Sequence, residues 1–152
     1  MEAGLIAFEQ ASAGDAETLV AVRIAAMRES LERIGRFDEQ RARTRFLATF
    51  SAADTRHLVV DAQRVGFVVV RRVDDHLLLD HLYVLPLHQG RGIGAAVLAT
   101  VFAHADAAAL PVRVGALRES AANRFYARHG FEPVERAEWD TYYVRLPASP
   151  AG

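Results

Sequence analysis

The sequence predicts an α/β protein: a mixed, mostly antiparallel central sheet flanked by helices, with elements in the order β-α-α-β-β-β-α-β-α-β-β. Three observations predict it. The apolar runs His57–Asp61, Val65–Arg72 and His76–Val84 are joined by short connections, which is the pattern of an antiparallel meander. A Gly-rich loop, Gln89–Gly94, then leads into a run in which Ile93, Val97, Leu98, Val101 and Phe102 recur at helical spacing. Beyond it strand and helix patterns alternate, which calls for crossovers and therefore for strands of both directions.

The elements follow in order. Leu5–Phe8 is a short strand, and Ser12 to Asp15 supplies turn and cap chemistry ahead of Leu19, Val22, Ile24 and Met27. With Asp15 as cap, Thr18 would hold the box position, where the usual glutamate is missing. The charged segment Arg28–Arg45 breaks near Gly35 and resumes as a helix from about Asp38 through Phe50. Ser51–Thr55 is a polar loop. In the meander, Ala62-Gln63 forms a two-residue connection without Asn-Gly chemistry, and Asp74-Asp75 forms the second turn. The helix after the glycine loop is expected from Ala95 to about Ala107. Pro111 opens the strand Val112–Gly115, Ser120 opens a helix over Ala121–His129, and Gly130 sits where a left-handed helix end belongs. Phe131–Glu135 and Thr141–Leu146 complete the sheet.

At 152 residues the expectation is a single domain over residues 1–147 with a frayed tail over 148–152. A net charge of −1 gives no electrostatic case for nucleic acid. The chain has no cysteine, which excludes disulfides, thiolate metal ligands and a cysteine nucleophile. It has no lysine, which excludes Schiff-base chemistry. The histidines match no metal-binding spacing, so no metal is expected. No apolar run approaches the roughly 18 residues that span a bilayer, and the N-terminus lacks a signal-peptide pattern. The expectation is a cytoplasmic protein with no membrane partner.

The glycine loop is the chemically informative stretch. Gly90, Gly92 and Gly94 leave backbone N–H groups at a helix start able to point at a phosphate, while Arg91 adds charge and Gln89 an amide. The Walker pattern is absent, since no Gly-Lys-Ser/Thr ending follows. The dinucleotide fingerprint is also missed, because the glycines alternate as Gly90-x-Gly92-x-Gly94. Gln-x-x-Gly-x-Gly fits instead, read at Gln89, Gly92 and Gly94 directly after a Leu-Tyr-Val strand end.

That segment resembles the signature of the GNAT superfamily of N-acetyltransferases, whose fold has the element order given above. The resemblance extends over essentially the whole chain, and its specific part runs from Asp80 to Phe131. It implies that Leu82, Tyr83 and Val84 align the pantetheine of acetyl-CoA through backbone hydrogen bonds and that Gln89, Gly90, Arg91, Gly92, Ile93 and Gly94 hold its pyrophosphate. The stretch Ser120–Phe131 looks like the family's helix that carries a Phe/Leu-Tyr pair and closes in Gly-Phe. By that likeness Tyr126 is the acid that protonates the departing CoA thiolate; a phenol of pKa near 10 faces a thiol of about 8.5, a mildly uphill transfer. Core packing beside Phe125 and Phe131 is the competing role. Many members carry an asparagine six or seven residues before the tyrosine, where this chain has Ser120 and Glu119; Asn123, three before it and inside the helix, does not take that place in space and is a candidate cofactor contact from the helix face.

The acceptor amine must lose a proton. At pH 7 an amine of pKa about 10.4 is neutral in roughly one molecule in 2,500, a cost of about 4.6 kcal/mol, against about 1 kcal/mol for an α-amine of pKa near 8. His81 and Asp80 are the candidate bases, with His57 next; alternation along the strand sends Asp80 and His81 to opposite faces. The resemblance places Arg36, Phe37, Trp139 and Tyr142 around the acceptor. It implies a small-molecule or peptide amine as partner and direct attack in a ternary complex, and a homodimer fits the class. A CoA-binding sensor or docking module without turnover is the alternative.

Overall fold

The computed structural model describes residues 6–33, 35 and 37–148. Seven strands form one sheet in the order β1-β2-β3-β4-β5-β7-β6: β1 Ala7–Gln10, β2 Thr55–Val60, β3 Gln63–Val73, β4 His76–Val84, β5 Val112–Leu117, β6 Glu132–Arg136 and β7 Asp140–Arg145. The helices are α1 Ala16–Arg33, α2 Glu39–Thr49, α3 Ile93–Ala107 and α4 Ala122–Arg128. The pairs β1/β2, β2/β3, β5/β7 and β6/β7 are antiparallel, whereas β4 and β5 are parallel, so the sheet is mixed and mostly antiparallel. The parallel ladder runs over Leu77–Leu79 of β4 and Val112–Val114 of β5; Leu82–Val84 lie past its end.

The chain gathers into two compact units, Met1–Val69 with His81–Gly94, and Val70–Asp80 with Ala95–Gly152. In the first, Ala11, Leu19, Val20, Phe46, Phe67 and Val69 form the buried core. α1 meets it through Leu19 and Val20 near its start, and α2 through Ala42 and Phe46 at i, i+4 spacing. In the second, the buried residues include Val97, Leu98, Val101 and Ala105 of α3 and the alternating Val112, Val114 and Ala116 of β5. The helical stripe expected from periodicity is thus the buried one, extended by Ala105, which is too small to stand out in a hydropathy reading.

Several boundaries differ from expectation for local reasons. The residues Leu5, Arg36 and Ser149–Gly152 lie outside the described residues, and with them part of the first expected strand and most of the expected tail. Ser12, rather than Asp15, opens the first helical segment: the Ser12 N–H donates to the Asp15 carboxylate over 2.9 Å, so Asp15 takes the reach-back position of a capping box. The β2–β3 turn is Asp61-Ala62, one residue earlier than expected, with φ of 50° and 63°. Positive φ at both central positions is the type I′ geometry that suits the sheet's right-handed twist, adopted here without glycine. Asp74, at φ 34°, makes the second turn where expected.

Candidate functional site

In the first unit β4 runs into a single 3-10 turn, Pro86–His88, whose proline sits at the start of the turn, and then into the glycine loop. Gly90 and Gly92 both have φ of 78°, a left-handed conformation that residues with a Cβ resist. A Cβ built on either meets nothing within 4 Å, so these glycines answer a backbone demand and leave the space beside the loop open. The helix starts at Ile93 rather than Ala95, which puts Gly94 inside the first turn of α3. Its first N–H groups carry the positive end of the helix dipole, and Arg91 beside them is exposed. Gln89 ties the loop to the strand before it. Its Nε2 donates over 2.9 Å to the carbonyl of Val84, so one amide hydrogen latches the loop back onto the end of β4.

His81 and Tyr83, two apart on β4, share a face. Their rings lie 5.5 Å apart, with His81 Nδ1 3.3 Å from the Tyr83 hydroxyl, and His81 also packs against Phe46 at 5.3 Å. His57 is 2% exposed, and its Nε2 lies 2.9 Å from Asp15 Oδ2. An ionised carboxylate only accepts, so Nε2 carries the proton. That hydrogen bond, followed by the one from the Ser12 N–H, draws the Asp15 carboxyl down to about 2. The pair ties β2 to the start of α1, which gives His57 a structural task. Phe37 lies under the Arg28 guanidinium, 4.4 Å from its ring centre.

In the second unit Asp80 accepts from Arg71 Nε over 2.8 Å, with both side chains half-buried. The ion pair ties β4 to β3 at this point. Tyr126 is 6% exposed and packs among Phe125, Phe131 and Tyr143, with ring centres 5.3, 5.3 and 6.3 Å away. The end of α4 holds it. Gly130, at φ 89°, lets the Phe131 N–H return to the Tyr126 carbonyl (3.1 Å) and the Gly130 N–H to that of Ala127 (3.4 Å). This is a Schellman closure with its usual apolar contact, here Phe131 on Tyr126.

Asn123 is bonded on both sides of its amide. Its Nδ2 donates to the carbonyls of Leu117 (2.9 Å) and Ser120 (3.0 Å), and its Oδ1 accepts from the Tyr143 hydroxyl (2.8 Å). With both amide hydrogens engaged inside the unit, it fastens α4 to the end of β5 and to β7. Glu119 has φ of 68°, a left-handed conformation uncommon outside glycine. Trp139 and Tyr142 are partly exposed, at 38% and 40%. The Tyr142 ring covers Gly115, its cross-strand partner, where a Cβ would meet it at 2.9 Å.

Sequence reading overlooked Gly66. A Cβ there would stand 2.1 Å from the Tyr83 carbonyl oxygen. The signal was available, since a glycine inside a valine-rich strand marks a bulge or a close backbone approach. Among the described residues no group of three or more His, Asp or Glu is placed to hold a metal ion, and no helix is long and apolar enough to cross a membrane.

Solved structures with this fold include the paia N-acetyltransferase from Thermoplasma acidophilum in complex with coenzyme A (TM-score 0.76, 18% identity, 93% of this chain and 99% of that one). An acetyltransferase from Thermus thermophilus has a TM-score of 0.72 at 19% identity, covering 96% of this chain and 99% of that one. N-acetylglutamate synthase from Neisseria gonorrhoeae, complexed with coenzyme A and N-acetyl-glutamate, has a TM-score of 0.68 at 16% identity; 97% of this chain matches 36% of that one. At such identities the likeness shows the fold alone. Among curated proteins no sequence matches the chain. The family model for the acetyltransferase (GNAT) domain matches residues 53–133, more than half of the chain. The chain belongs to the GNAT acetyltransferase family, enzymes of acetyl-CoA-dependent acyl transfer.

Proposed function

We propose that the protein transfers an acetyl group from acetyl-CoA to a primary amine by direct attack within a ternary complex. The observation that carries the reading is the pair of left-handed glycines, Gly90 and Gly92, delivering an open loop and the start of α3 directly after the Leu82–Val84 strand end. In this reading the loop amides and Arg91 hold the pyrophosphate, and the backbone of Leu82–Val84 aligns the pantetheine. The amine nitrogen bonds to the thioester carbon, the C–S bond breaks, and the thiolate takes the Tyr126 phenolic proton while the amine loses one of its own. His81 is proposed as the base, with Asp80 the second candidate, either one acting directly or through a water. Phe37, Trp139, Tyr142 and Arg36 are proposed for the acceptor side. Absence of cysteine supports the direct route over a relay through an acetyl-enzyme.

A second reading, a CoA-binding module without turnover, draws on the burial of Tyr126 among aromatic rings. One experiment separates the two: release of free thiol from acetyl-CoA across a panel of small amines, amino acids and peptides, with Tyr126→Phe alongside. Turnover that falls at least tenfold in the variant at unchanged CoA affinity supports the acid role. CoA binding with no thiol release for any amine supports the module.

A further inference from the structure

We propose that Gly66 is a positioning residue for the cofactor-binding end of β4, an inference that rests on reading Leu82–Val84 as the strand end that aligns pantetheine. Gly66 is buried inside β3, and a Cβ there would lie 2.1 Å from the Tyr83 carbonyl oxygen, 3.0 Å from Val84 Cα and 3.1 Å from the Tyr83 carbonyl carbon. All three atoms belong to one peptide unit. A side chain in the way can swing aside; this peptide can yield only by moving the strand end. Reaching ordinary contact at 3.4 Å means opening the approach by about 1.3 Å.

The neighbouring backbone reinforces the placement. Leu58 pairs with Gly66 but Val59 pairs with Arg64, so Val65 is an extra residue at this point in β3. Its carbonyl accepts the Leu85 N–H over 2.8 Å. β3 therefore grips β4 on both sides of Val84, by close contact before it and by a hydrogen bond after it. Because a trans peptide points its C=O and N–H in opposite directions, turning the Tyr83 oxygen against Gly66 aims the Val84 N–H away from β3. The missing side chain at position 66 sets the direction of that donor. Glycine weakens a strand interior, and this requirement accounts for its presence.

The test compares wild type, Gly66→Ala and Gly14→Ala, the last a control because a Cβ there meets nothing within 4 Å. CoA affinity is measured by titration calorimetry and folding by circular dichroism. The expected result is a folded Gly66→Ala variant binding CoA about ten- to a hundredfold more weakly, with Gly14→Ala like wild type. Undiminished binding by folded Gly66→Ala overturns the inference and leaves the cofactor reading standing; wild type that binds no CoA removes both. Should Gly66→Ala fail to fold, amide spectra of wild type titrated with CoA decide: Gly66 and Val84 signals moving together support the inference, and Val84 moving without Gly66 overturns it.

Discussion

Replacing Gly92 isolates what the anion loop demands of its backbone. Its φ is 78°, and a Cβ added there meets nothing within 4 Å, so the penalty for a side chain is conformational rather than steric. For an L-residue held left-handed that penalty is about 1–2 kcal/mol, and less for asparagine, which visits this region more readily. The strain appears in one of two places. If the loop keeps its shape, the free protein loses stability; if it relaxes, CoA must restore the shape on binding and affinity falls. For Gly92→Ala the two losses should therefore sum to about 1–2 kcal/mol, and a fully relaxed loop corresponds to CoA affinity about 5- to 30-fold weaker. Gly92→Asn should lie between alanine and wild type, and turnover at saturating acetyl-CoA should barely change in either. Calorimetric titration with CoA and thermal melts measure the two parts. An alanine variant with wild-type affinity and melting temperature would refute the conformational argument, and a loss far above a hundredfold would mean that the methyl meets the ligand itself.

Two stability predictions follow from local geometry. Asp15 titrates near 2 in the folded protein against an ordinary 3.8, held down first by the hydrogen bond from His57 and then by that from the Ser12 N–H. A depressed folded value means that the stabilisation is complete above the unfolded pKa and is lost as pH falls through the folded one. Asp15→Asn should therefore flatten the pH dependence of unfolding between about 4 and about 2, as read from denaturant melts at stepped pH. Ala62 occupies a left-handed turn position at φ 63°. Ala62→Gly removes a cost of about 1–2 kcal/mol and adds back about 0.4–1 in unfolded-chain entropy, a net gain of at most about 1.6 kcal/mol, so the melting temperature should rise by up to about 6 °C; a fall would contradict the turn assignment.

The sequence alone carried the features whose causes are short-range. The apolar stripe of α3, the closing Gly130, the Asp74 turn and the glycines of the loop each follow from periodicity or from φ, properties of a few consecutive residues. So did the order of elements and, through the loop and the Tyr126 helix, the family. Which side chains meet was decided by the tertiary structure. Asp15 and His57 stand 42 positions apart, and only the packing of α1 against β2 makes them partners. Asn123 meets the Tyr143 hydroxyl only because β7 lies beside α4. Asp80 meets Arg71 only because β3 lies beside β4. Gly66 gained its meaning from the Tyr83 carbonyl turned onto it. Each of these depends on strand register or helix docking, and a one-residue slip in register turns every side chain to the opposite face. Local chemistry could name the candidates, whereas the sheet alone decided which side chains meet.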